Sequence, residues 1–158
     1  LLTAYRSAGG YADCYATGID RPVSHAEYVE AFYTTWLFKL ERLVLKFLVA
    51  KPSTDAEARQ LAQGLRESFA AWTVEGRAPD QLLMCDFQAK TRSWLMVANE
   101  MRDGAQVTRL YFGTGIVPVT DKNTGAKSLS LEFRALLGFH KLYSRALLKA
   151  ARSRLSRR

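Results

Sequence analysis

A run of mostly apolar residues along 11–19 (YADCYATGI), bracketed by Gly9-Gly10 and Asp20-Arg21-Pro22, predicts a first strand. The period then changes. Ser24 and Glu27 have the spacing of a capping box, in which each side chain satisfies an early backbone donor, and a helix is expected from Ser24 to about residue 49 with a bend at Thr34-Thr35. Its apolar residues (Tyr28, Phe32, Trp36, Leu40, Leu43, Phe47, and also Val29, Tyr33, Leu37, Val44, Leu48) cover well over half the circumference. Such a helix is buried on more than one side or hides part of its surface against a partner. Lys51-Pro52 ends it, and Thr54 with Glu57 opens a second capped helix reaching about Gly64.

From residue 67 the pattern returns to strands: 68–75, 81–88, 91–101 and 106–119, with Gly76 and Pro79 separating the first two. Asp103-Gly104 lies between alternating segments and favours a type I′ hairpin. A two-residue loop there pairs Arg102 with Ala105. It sets Leu95 against Phe112 and Val97 against Leu110 on an apolar face, and Trp94 against Gly113, Met96 against Tyr111 and Arg92 against Gly115 on the other. After a polar turn at 121–125, residues 129–154 read as a long helix. One stripe carries Phe133, Leu136, His140, Tyr143, Leu147 and Ala151, and another Arg134, Lys141, Arg145, Lys149 and Arg152. The order implies an α+β fold: a curved antiparallel sheet of about five strands on a long C-terminal helix, with two helices after the first strand. No repeat or linker interrupts the 158 residues, so 1–158 reads as a single domain with a core at 11–152 and a basic tail at 153–158.

Charge adds one feature. The formal charge is +8, and residues 129–158 hold eight basic side chains against Glu132 alone. A localised basic face attracts phosphate, whether on nucleic acid or on anionic lipid, although a solvated helix face with cations favoured by the helix dipole explains the same pattern. Nucleic acid is not an expected partner. The most apolar stretch, 28–50, is broken by Glu30, Lys39, Glu41, Arg42 and Lys46, so no membrane span is expected. The chain starts at Leu1-Leu2 and reads as trimmed. Two cysteines, Cys14 and Cys85, without a CxxC partner read as inert thiols and suit a cytoplasmic location.

Few residues carry recognisable chemistry. The chain holds no GxGxxG, P-loop, GxSxG or HExxH motif. Its histidines, His25 and His140, are far apart, and metal-ligand spacing beyond His25 and Glu27 is lacking, so neither metal nor cofactor is expected. His140, on an apolar stripe, reads as a core or cavity-wall histidine, with acid–base work as the alternative. Asp13 and Asp86 sit in apolar strands and need a cation, solvent or a cavity, with Arg92 and Arg109 as candidate partners. Gly113 and Gly115 in YFGTG signal a bend or a close approach, which Trp94 packed over Gly113 would explain.

The segments AFYTTWLFKLERL, TRSWLMV, TRLYFGTGIVP and FRALLGFHKLYSRALL together resemble an uncharacterised family of small bacterial proteins. The element order is similar to the helix-grip, START-like or polyketide-cyclase-like (SRPBCC-like) folds, from which five strands rather than seven is a departure. That resemblance implies a hydrophobic ligand cavity between sheet and terminal helix and carries over no catalytic residue. The leading expectation is therefore a binding module for a small apolar or amphipathic ligand, walled by Arg92, Trp94, Tyr111, His140 and Tyr143. Two alternatives stand beside it. One is a cyclase- or hydratase-type enzyme on the same scaffold using His140 or Asp86. The other is an interaction protein, dimeric or peripheral to an anionic membrane, that uses the apolar surplus of 24–49.

Overall fold

The computed structural model describes residues 1–7, 11–48, 50–117, 119–120, 127–128 and 131–157. A six-stranded antiparallel sheet has the order β1-β6-β5-β4-β3-β2, so the first strand, β1 (Tyr11–Ile19), closes on the last, β6 (Ala105–Ile116). Between them run α2 (His25–Tyr33), α3 (Trp36–Leu48), α4 (Asp55–Ala62), β2 (Ser68–Phe69), β3 (Trp72–Ala78), β4 (Gln81–Asp86) and β5 (Thr91–Arg102). A short α1 (Thr3–Ser7) precedes β1. A two-stranded ribbon, β7 (Val119–Thr120) with β8 (Lys127–Ser128), leads to α5 (Leu131–Leu155), the long C-terminal helix. The α+β reading holds, with six main-sheet strands where five were expected.

The extra strand comes from a turn without turn residues. Segment 68–75 breaks at Ala70-Ala71, and Phe69 pairs directly with Trp72 while Ala70 takes φ 51°. Alanine gives no signal for that left-handed conformation, which normally favours glycine or asparagine. Gly76 does not separate strands but lies inside β3, next to a register shift between Val74 and Gly76; the turn itself is Pro79-Asp80. The expected turn at 121–125, Gly9-Gly10, and the side chains of Phe133, Arg134 and Leu136 lie outside the described residues.

Local signals otherwise act as physical chemistry requires. Both capping boxes form, Ser24 with Glu27 and Thr54 with Glu57. The expected bend at Thr34-Thr35 is a full break, because the hydroxyls compete with helical hydrogen bonds. Thr34 Oγ1 donates to the Glu30 carbonyl at 2.7 Å, and Thr35 Oγ1 donates to the Phe32 carbonyl at 2.9 Å while accepting the Phe38 N–H at 3.1 Å. Asp103 and Gly104 take φ 52° and 78°, as a I′ turn demands, and every expected β5–β6 pair from Arg102–Ala105 to Arg92–Gly115 is present.

That register decides which face each residue occupies. The face towards α2 and α5 carries Leu82, Met84, Leu95, Leu110 and Phe112, all buried. Phe32 of α2 packs on Phe112 with ring centroids 4.7 Å apart, and Tyr33, Phe38 and Phe69 complete an aromatic cluster. α5 contributes Leu147, Leu148, Ala151 and Leu155. Part of its basic stripe is structural: Arg145 lies over the Tyr15 ring at 5.2 Å, and Arg152 Nε donates to the Gly18 carbonyl at 2.7 Å. The opposite face is covered at one end by α1, which the sequence pattern did not reveal. There Leu2 reaches both Gly113 and Gly115, so the two glycines admit the chain's own N-terminal segment as well as Trp94.

Candidate functional site

The first strand places Tyr11, Asp13 and Tyr15 on one face by simple alternation, and that face meets α5. Asp13 pairs in register with Thr114 of β6. Thr114 Oγ1 donates to Asp13 Oδ1 at 2.5 Å, and the hydroxyls of Tyr15 and Tyr11 donate to Asp13 Oδ2 at 3.0 and 3.1 Å. His140 of α5 completes the group, with Nε2 at 2.8 Å from Thr114 Oγ1 and 3.9 Å from Asp13 Oδ2. Thr114 has a single proton and spends it on the carboxylate, so its oxygen accepts from His140 and Nε2 carries hydrogen. Burial lowers the His140 pKa below its ordinary value, opposed by the Asp13 charge, so the ring is held neutral with an anion poised behind it.

One turn further along α5, Tyr143 donates to Glu41 Oε2 of α3 at 2.6 Å. Burial raises the Glu41 pKa, partly offset by the Tyr143 hydroxyl and the Trp72 indole. The Tyr143 hydroxyl is likewise driven up, first by burial and then by the Glu41 charge. The layer between sheet and helices thus holds two polar groups about one turn of α5 apart, Asp13–Thr114–His140 and Glu41–Tyr143. Both bind across more than 25 residues of sequence, and three elements supply their ionisable members.

The burial of Glu41 has a measurable consequence. Because its folded pKa lies above the unfolded value, the native state binds the extra proton, and the associated stability is present at low pH and lost as pH rises through the folded pKa. Glu41→Gln keeps an acceptor for Tyr143 and removes the buried charge. Urea denaturation is expected to show the variant equal to wild type near pH 4 and more stable at pH 8. Equal stability at both pH values would mean that Glu41 is solvated.

The five residues expected to wall one cavity do not share it. His140 and Tyr143 face the sheet–helix layer, but Arg92, Trp94 and Tyr111 project from the other side of the sheet, because they occupy the alternate positions of β5 and β6. There Trp94 Nε1 donates to Gln81 Oε1 at 3.0 Å and its ring lies 6.4 Å from Tyr111, while Arg92 is held by Glu75 at 2.6 Å and by the Tyr5 hydroxyl at 2.9 Å. Arg92 is therefore an anchor for α1, and Arg109 pairs with Glu100, so neither serves Asp13 or Asp86. Asp86 caps its own turn, with Oδ1 accepting the Lys90 and Thr91 N–H groups at 2.7 and 3.0 Å. His25 lies with Nε2 3.4 Å from the Leu95 carbonyl oxygen. Among the described residues no three His, Cys, Asp or Glu side chains converge as a metal site would require.

Tyr11, Tyr15, Thr114 and Glu41 escaped the sequence reading. For the tyrosines the signal was present: a carboxylate flanked at two positions on either side by hydroxyl donors on one strand face. Glu41 gave a fainter one, as an acid in a helix whose apolar residues exceed one face.

Neither a protein-family model nor a curated protein sequence matches the chain. Among solved structures it is similar to an uncharacterized protein from Rhizobium leguminosarum, at 9% identity over 94% of this chain and 97% of that one, with a TM-score of 0.35. At that level the likeness assigns no activity.

Proposed function

We propose that the protein binds a small amphipathic molecule between the sheet and α5, its apolar part against the aromatic core and its polar end against His140 and Tyr143. The observation that supports this reading is that the Asp13–Thr114–His140 and Glu41–Tyr143 groups both lie in a layer built mainly of apolar side chains. Ionisable groups held in such a layer cost stability, and they cluster where a ligand is oriented or a proton is handled. The sequence resemblance to helix-grip folds, in which a ligand occupies this layer, motivates the same reading.

The polar end has a definable chemistry. Carboxylates lie on both sides, Asp13 beside His140 and Glu41 beside Tyr143, so a hydroxyl is favoured over a carboxylate. Titration with 1-dodecanol and dodecanoate, followed by displacement of anilinonaphthalene sulfonate, tests this. Wild type is expected to bind the alcohol stoichiometrically and more tightly than the acid. His140→Leu should retain the fold and lose about 10-fold of that preference, the worth of about one hydrogen bond. Absence of stoichiometric binding by either probe, or a preference untouched by the substitution, would remove the proposal. Native mass spectrometry of gently purified protein before and after organic extraction adds a second reading, since a resident ligand leaves as a defined mass.

A catalytic reading on the same residues, of cyclase or hydratase type, draws on the His140–Thr114–Asp13 relay, in which Thr114 and the Asp13 carboxylate can stabilise an imidazolium. Conversion of a bound hydroxylated probe, lost in His140→Leu, would distinguish it from binding alone.

A further inference from the structure

The exposed apolar side of α3 is not accounted for by the site above. Trp36, Leu40, Leu43 and Phe47 recur at helical spacing along one stripe and stand in solvent, Trp36 at 72% and Phe47 at 74% exposure. At its Trp36 end the stripe runs into a groove of about 740 Å³ against the C-terminal half of α5. Ala146 and Ala150 lie in that groove beside Lys149, Arg154 and Arg157, and no carboxylate lines it. Arg154 Nε is buried with no hydrogen-bond partner among the described residues. Elsewhere Lys39 and Arg42 of α3 are engaged with Asp55, whereas no ion pair among the described residues takes up these three. Unpaired cations beside an apolar ridge are complementary to a surface that offers phosphate at one depth and hydrocarbon at the next.

We infer that α3 and this groove form a docking surface for an anionic phospholipid bilayer: the Trp36–Phe47 stripe lies in the interface and Lys149, Arg154 and Arg157 take the lipid phosphates. The helix has 13 residues, about 20 Å, and no helix among the described residues is long and apolar enough to cross a membrane, which fits a helix lying in the surface plane. Charge argues for lipid over a second copy of the chain, since a protein of formal charge +8 would set like-charged groove residues against each other in a symmetric pair. Docking there would place the α3–α5 boundary, and so Glu41 and Tyr143, beside the source of an amphipathic ligand.

The test is flotation with phosphatidylcholine vesicles and with vesicles containing phosphatidylglycerol, at low and high salt, with Trp36 fluorescence read against a Trp36→Phe control. The expected result is binding only to the anionic vesicles, weakened by salt, with Trp36 emission shifted to the blue and quenched by brominated acyl chains. Lys149→Gln with Arg157→Gln should cost about 30-fold in vesicle affinity, about 5-fold for each cation. Leu40→Ser with Phe47→Ser should abolish the quenching while circular dichroism stays unchanged, both side chains being exposed. Failure to float with anionic vesicles overturns the inference, as does binding indifferent to these substitutions. So would a dimer that buries Trp36 without lipid, or saturable binding of free glycerol phosphate at the groove with no vesicle affinity. None of these outcomes depends on whether dodecanol binds near His140.

Discussion

Replacing Asp13 by Ala should destabilise the protein by about 3 kcal/mol, the largest effect expected of any polar substitution. The carboxylate accepts the hydroxyls of Tyr11, Tyr15 and Thr114, and its side chain is 12% exposed. Removing it leaves three donors to find new partners, at about 1–3 kcal/mol for each that stays enclosed, with relaxation recovering part. Asp13→Asn keeps one acceptor and turns a donor towards hydroxyls that need none, so about half the loss is expected. Urea denaturation measures both, and a loss below about 1 kcal/mol for Asp13→Ala would show that water satisfies the cluster.

The same substitution carries a functional readout. Asp13 raises the His140 pKa against the lowering due to burial, so in Asp13→Asn the ring should titrate at still lower pH. With only two histidines in the chain, ring-proton NMR resolves His140 from His25 directly. The sign for stability follows. A histidine whose folded pKa is depressed below the unfolded value of 6.5 is protonated first in the unfolded chain, so stability present above about pH 6.5 is lost as pH falls, and lost over a wider range in the variant. An unchanged or raised His140 pKa would disconnect Asp13 from the relay.

Gly113→Val should cost about as much, through shape instead of charge. A Cβ at Gly113 would stand 2.6 Å from Leu2 Cδ2, 2.9 Å from Trp94 Cε3 and 3.0 Å from the Asp13 carbonyl oxygen. Leu2 can rotate and Trp94 can shift, but the carbonyl belongs to the β1–β6 ladder and cannot move without spreading the strands. Overpacking of this kind costs about 1–3 kcal/mol, and the branched side chain lies at the upper end. Because Asp13 is the residue pushed, Gly113→Val should also disturb the His140 titration, which a lesion confined to α1 would not do. Gly18→Ala is the control. Nothing lies within 4 Å of its Cβ position, so its stability should stay close to wild type. A destabilised Gly18→Ala alongside a tolerated Gly113→Val would refute the packing argument.

Much of the frame was legible because it is written in local chemistry. Ser24–Glu27 and Thr54–Glu57 close their own hydrogen bonds within four residues. Asp103-Gly104 sets the hairpin register because few residue pairs accept two positive φ angles, and the register then sorts Leu95 from Trp94 without reference to the rest of the chain. The β2–β3 turn was not legible. Ala70 adopts its left-handed conformation because the strands on either side hold it there, not through any preference of its own.

The candidate site divides along the same line. Alternation alone placed Tyr11, Asp13 and Tyr15 together, and helical spacing placed His140 with Tyr143. Which strand face α5 covers was settled only when β1 paired with β6, joining Asp13 to Thr114 across 101 positions, and when α3 brought Glu41 to Tyr143 across 102. The hairpin register had already put Arg92, Trp94 and Tyr111 on the opposite face, where α1 covers Arg92. Sequence by itself determined the elements, their caps, the hairpin register and the uneven charge, because each depends on neighbours a few residues away. The tertiary structure decided which polar groups meet and which apolar stripe stays uncovered, because burial and pairing are set by contacts that local periodicity does not encode.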